Sequence, residues 1–219
     1  MQTDGGSAPD TVQLHVTIRV RRFPAMLEDV AHHADRVHPE TVAEWRAWLD
    51  EHHDSSDGVW LVSWKKHTGR ATVGYDAAVT EALAVGWVDS KGQRLDQDRT
   101  MLYLTPRRPT SGWSRPNKLR VERLYAEGRM GPAGQAAIDA AKANGTWTLL
   151  DDVEDLVVPG DLAAAFARHP GSRDSWDGFS RSAKRSILEW IVTAKRPETR
   201  SKRIAETAEK AARGERAHQ

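Results

Sequence analysis

The stretch "GVWLVSWKK", Gly58–Lys66, decides the fold class. Strict alternation puts Val59, Leu61 and Ser63 on one face and Trp60, Val62 and Trp64 on the other. Both faces are mostly apolar, as expected of a strand in the middle of a sheet. The flanking patterns are mainly helical, so the sheet is small and helices accompany it.

On the N-terminal side, Val42, Trp45, Trp48 and Leu49 recur at helical spacing after Pro39. Further upstream, "VQLHVTIRV" (Val12–Val20) reads as an extra strand, and Gly5, Gly6, Ser7 and Pro9 mark a flexible tail. On the C-terminal side, Asp76 opens a helix through Ala78, Val79, Ala82 and Leu83 that Gly86 stops. "WVDS" and "RTMLYLTP" read as a hairpin joined by "KGQRLDQD". Ser114 is placed to cap the next helix, with Pro116 in its first turn and Val121, Leu124 and Tyr125 on its apolar face. Another helix is expected from Pro132 to Ala143.

Beyond "GTWTLLDDVEDLVVP" (Gly145–Pro159) only helical patterns remain. One helix starts at Pro159 and one at Ser180 or Ser182, the latter with Ala183, Ile187, Trp190, Ile191 and Ala194 in a stripe. A last helix from Pro197 sets Glu198/Lys202, Glu206/Lys210 and Glu209/Arg213 at i,i+4. The expected class is α+β: a small mixed sheet with helices in the N-terminal part, and an all-helical C-terminal part packed against it. The expected divisions are residues 1–34 (tail and extra strand), 35–145 (α+β domain) and 146–219 (helical domain). Neither half alone promises a generous core, so the two are expected to pack together.

Nine tryptophans against three phenylalanines and three tyrosines imply either bulky core anchors or one groove lined with indoles. With no cysteine there is no disulfide, thiolate nucleophile or cysteine zinc cluster. No apolar run approaches a membrane span, and "MQTDGGSAPD" has no secretory pattern, so the expected location is cytoplasmic.

The net charge of +1 conceals an uneven distribution. Residues 105–130 hold seven Lys or Arg against two Asp or Glu, and residues 179–219 hold eleven against five. The densest acidic run is Asp151, Asp152, Glu154 and Asp155. The basic segments either meet an anionic partner or pair with this acidic remainder.

The loop "TPRRPTSGWSRPN" (Thr105–Asn117) joins a strand end to a helix N-terminus and carries Arg107, Arg108, Trp113, Ser114 and Asn117. Arginines beside unpaired helix N–H groups suit phosphate, carboxylate or a nucleic-acid backbone, and an indole suits a flat ring. The competing reading makes Trp113 a plug between sheet and helix. Lys65 and Lys66 end a strand among tryptophans, where a lysine either faces water or acts as a base. Asp89 offers a carboxylate base or an ion-pair partner, and no second carboxylate at fixed spacing specifies an acid/base pair. Seven of the nine histidines fall in the first 67 residues, His15, His32, His33 and His38 among them, without a metal-binding spacing; neither metal nor cofactor is expected.

"WRAWLDEHH", "GVWLVSWKK", "ALAVGWVDS", "YLTPRRPTSGWSRPNKLRVERLYAEGRM" and "AKRPETRSKRIAETAEKAARGER" together resemble the YdeI/OmpD-associated, or bacteriocin-protection, family over residues 40–216. Members usually show Cys-Phe before the Gly-Trp and Ile after it, where this chain has Ala84, Val85 and Val88. The resemblance implies a bacterial cytoplasmic protein associated with bacteriocin or stress resistance, its C-terminal helical part being the defining domain, and implies no catalytic residues.

The functional expectation is a binding protein for a small anionic or aromatic molecule. Its groove would be lined by Lys66, Asp89, Arg107, Arg108, Trp113, Ser114 and Asn117. An enzyme acting on a small metabolite in the same groove is the first alternative, with Asp89 or a lysine as base. Nucleic-acid binding through the basic C-terminal helices ranks third.

Overall fold

The computed structural model describes residues 35–218. The strand expected at Val12–Val20, the N-terminal tail, and His15, His32 and His33 lie outside the described residues.

Four strands form one mixed sheet: β1 (Arg36–Val37), β2 (Val59–Trp64), β3 (Trp87–Arg94) and β4 (Arg99–Pro106), in the order β1-β2-β4-β3. β1 runs parallel to β2, and the β2–β4 and β4–β3 pairs are antiparallel. β2 is an interior strand, as its two-faced apolar pattern requires. One sheet face carries Val59, Leu61, Trp87 and Leu104 against helices α1 (Val42–His52) and α2 (Tyr75–Ala84). The opposite face carries Trp60, Val62, Met101 and Tyr103.

α2 is buried nearly all round. Ala78 and Ala82 face the sheet, while Val79 and Leu83 face α3 (Arg115–Ala126) and α4 (Pro132–Ala143). Gly134 of α4 sits on the Leu83 and Ala84 carbonyls, where an added Cβ would collide. The capping box Thr41/Glu44 starts α1, and Trp45 and Trp87 satisfy their indole N–H groups on the carbonyls of Ala78 and His53, each at 3.1 Å. The tryptophans act chiefly as core anchors: Trp45, Trp60, Trp87, Trp113 and Trp176 are all buried.

The C-terminal part is all helical: α5 (Asp151–Glu154), α6 (Gly160–Ala167), α7 (Ser172–Gly178), α8 (Arg181–Val192) and α9 (Pro197–Ala212). Its core, including Leu150, Leu162, Phe166, Trp176, Ile187, Ile191, Ile204 and Ala208, draws no residue from the sheet. Each part therefore buries a core of its own, where neither was expected to bury a generous one. The parts meet through ion pairs at the start of α3, where Arg115 holds Asp155 at 2.7 Å and Lys118 holds Asp151. The acidic run thus takes up part of the basic excess.

Smaller corrections have local causes. β3 extends through Lys91–Arg94, which the sequence reading gave to the turn; its ladder with β4 carries this polar segment. Ser114 occupies the N-cap of α3 without a side-chain cap, and Tyr125 is exposed. In α9, Glu206 and Lys210 pair at 2.9 Å, whereas Arg213 turns to Glu215.

Candidate functional site

The loop from Arg107 to Ser114 is pinned along its length. The Arg107 backbone N–H donates to Gly86 O at 2.9 Å, and Asn144 Nδ2 and Thr146 Oγ1 donate to Pro109 O at 2.9 and 3.2 Å. A Cβ on Gly112 would stand 2.7 Å from Leu150 Cγ, so only glycine lets the loop close against the C-terminal part.

Trp113 is 1% exposed and packs among Val79, Leu83, Val121, Leu124 and Ile138. It plugs the helical core, with Leu102 of β4 at its border, and leaves no face for a ligand. One contact does concern the site: the Arg107 guanidinium carbon lies 3.8 Å from the centre of the indole. The ring therefore positions the arginine.

Arg107 is half-buried. Its Nη2 donates to Gly112 O, while Nε and Nη1 are buried without a hydrogen-bond partner among the described residues. Burial lowers its pKa to about 10, a shift the nearby Asp89 charge partly offsets. The group stays cationic at neutral pH with two of its three nitrogens unsatisfied, which a fold tolerates only at a cost.

A cavity of about 340 Å³ lies between this loop, the adjoining ends of β3 and β4, and α8. Asp89, Arg107, Arg108, Ser114 and Asn117 line it, together with Ser90 and Ser111. Arg108 is exposed at its edge. Asn117 Oδ1 accepts from Arg120 Nη1 at 2.9 Å, and Tyr75 Oη donates to Asp89 Oδ2 at 2.8 Å. Burial and Asp89 raise the Tyr75 pKa, so the hydroxyl remains a donor.

Two expected groove residues lie elsewhere. Lys66 begins a 3-10 turn, exposed and outside the cavity, because the chain leaves the sheet after Trp64. Its neighbour Lys65 donates to the carbonyls of Asp96 and Gln97 at 2.7 and 2.8 Å, tying down the β3–β4 turn. Trp113 is beneath the site rather than in its wall. Conversely, Arg185 and Glu189 of α8 were missed. They line the cavity and pair with each other at 2.9 Å, and Arg185 also holds Glu154 at 3.0 Å. Their i,i+4 spacing was the available signal.

A second cavity of about 460 Å³ opens on the helix-covered face of the sheet. It shares Asp89 and Ser90 with the first, and its apolar floor includes Leu61, Val73 and Leu102. The shared residues sit at a β-bulge: Asp89 pairs with Leu104 and Lys91 with Tyr103, leaving Ser90 extra. Such bulges re-aim side chains.

Two family models match the chain. Residues 37–137 match one described as Domain of unknown function (DUF8412), and residues 155–214 match Bacteriocin-protection, YdeI or OmpD-Associated. Residues 155–214 are thus similar to a YdeI/OmpD-associated domain, a match to part of the chain. The resemblance read over residues 40–216 thus narrows, for this family, to the C-terminal helices. No curated protein and no solved structure matches the chain. The first cavity lies where the two matched segments meet. Residues 88–117 belong to the first, and Arg185 and Glu189 come from the segment similar to the YdeI/OmpD-associated family.

Proposed function

We propose that this protein is a cytoplasmic, non-enzymatic binding protein of bacteriocin or stress resistance that accepts a small anion in the cleft between its two parts. The family description supplies the biological setting. The cleft holds Arg107, Arg108 and Arg185 against Asp89 and Glu189, and Arg185 is already neutralised by Glu154 and Glu189. The carrying observation is Arg107, whose charge is half-buried and incompletely hydrogen-bonded. An anion would supply the missing acceptor, and the α3 N-terminus at Ser114 and Asn117 adds to the attraction.

Titration with phosphate and acetate, followed by thermal shift, tests this. Ligand at 100 times Kd is expected to stabilise the protein by about 2.7 kcal/mol. Arg107→Met is expected to abolish that gain while leaving the unliganded protein as stable as before, or about 1 kcal/mol more stable, because an apolar side chain suits the half-dry site better than an unsatisfied charge. Arg108→Ala is expected to change stability by no more than about 0.5 kcal/mol. Undiminished binding by Arg107→Met would overturn the reading.

Nucleic-acid binding through α9 has less support, because several of its cations are engaged. Arg200 holds Asp161 at 2.8 Å, Arg203 lies over Trp190, and Lys210 holds Glu206. No complex with DNA is expected in physiological salt. A sub-micromolar complex lost on replacing Lys202 and Arg203 would reverse this ranking.

A further inference from the structure

We infer that the two cavities form one site for a zwitterion with an apolar side group, of the aromatic amino-acid type, an inference that rests on the anion cleft proposed above. Three kinds of group are presented side by side. Arg107 finds no acceptor among the described residues for two of its nitrogens. Asp89 faces both cavities, and with Oδ2 taken by Tyr75, its Oδ1 has no hydrogen-bond partner among the described residues. The second cavity is floored by apolar side chains and bordered by Trp64.

A carboxylate on Arg107, an ammonium on Asp89 and an apolar group over Leu61, Val73 and Leu102 satisfy all three. A simple anion leaves Asp89 unmatched, and a simple hydrocarbon leaves both charges unmatched. The bulge at Ser90 makes the arrangement possible. It interrupts the alternation of β3 so that Asp89 stands at the junction, and the next residue on the same face is Gly92, whose added Cβ would meet nothing within 4 Å. That glycine leaves the second cavity open.

Calorimetry on the whole chain with L-tryptophan and three analogues, each lacking one group, tests the assignment. Indole-3-propionate lacks the ammonium, tryptamine the carboxylate, and alanine the ring. Tryptophan is expected to bind at least about tenfold more tightly than each of them. Asp89→Asn should bring tryptophan down to the level of indole-3-propionate, and Gly92→Leu should bring it down to the level of alanine. Gly92 is exposed with open space around it, so circular dichroism should show the leucine variant folded. Indole-3-propionate or alanine binding as tightly as tryptophan would overturn the inference, as would a tryptophan affinity indifferent to Gly92→Leu. If phosphate or acetate bound through Arg107 without any preference for tryptophan, this inference alone would fail. Tryptamine binding as tightly as tryptophan, with no binding of phosphate or acetate, would fail the anion cleft as well.

Discussion

Replacing both Arg46 and Arg129 by alanine is expected to cost about 3–5 kcal/mol at neutral pH, read as a fall in the denaturant midpoint. Between them stands Glu81, 4% exposed in the middle of α2. Arg46 Nε lies 2.8 Å from Glu81 Oε2, and Arg129 Nη2 holds Oε1. The two sides of the network differ in burial: the Arg46 and Arg129 side chains are 46% and 31% exposed. Removing Glu81 leaves arginines that can turn to water, so Glu81→Met should cost only about 1 kcal/mol. Removing the arginines leaves the carboxylate of a buried helix position without either of its charge partners. A double variant no worse than Glu81→Met would show that α2 does not depend on this charge network.

The pH dependence separates the variants further. Burial opposes ionisation of Glu81, but the hydrogen bonds and charges of Arg46 and Arg129 outweigh it and hold the carboxyl below its ordinary range. A depressed folded-state pKa gives stability that is present above the unfolded value and lost as pH falls through the folded one. Asp76, held low by Arg123 and Arg120, and Glu154, held low by Arg185, contribute with the same sign. The native protein should therefore lose stability on acidification below the ordinary carboxylate range. In the arginine double variant burial acts alone on Glu81 and raises its pKa, so the penalty should shrink as pH falls and the carboxyl takes up a proton.

What the sequence disclosed, and what it hid, follows from the range of the forces involved. β2 was legible because both faces of one segment are apolar. The starts of α4 and α9 were legible because proline at the first helical position is a local preference. α7 was not, since "SRDSWDG" has no periodicity and its one large apolar residue, Trp176, acts by burial in a core built from distant helices. Within the candidate site, Arg107 and Arg108 are chemically identical neighbours. Only the indole beneath Arg107 and the carbonyl of Gly112 distinguish them, and both depend on how the loop closes. Glu81 did carry a local signal, as the lone charge in the mostly apolar run "AAVTEALAV", but its two partners come from elsewhere in the chain.

Trp113→Ala is expected to cost about 3–5 kcal/mol, because the indole is fully buried and its removal leaves a cavity that pinned surroundings cannot collapse to fill. Its neighbours belong to three different helices, α2, α3 and α4, and the loop itself is fixed by Gly86, Pro109 and Gly112. Trp147, with its ring centre 5.0 Å away, loses an aromatic contact as well. Trp113→Phe should recover about half of the loss, since the indole N–H has no hydrogen-bond partner among the described residues to forfeit. Binding should follow a different order. The alanine variant removes the platform under Arg107, so anion affinity should fall even in conditions where the variant remains folded, whereas phenylalanine keeps an aromatic face under the guanidinium. Equal anion affinity in native and Trp113→Ala protein, both verified as folded, would show that Arg107 needs no indole beneath it. A stability loss below about 1 kcal/mol would show that the loop is not the plug of the helical core.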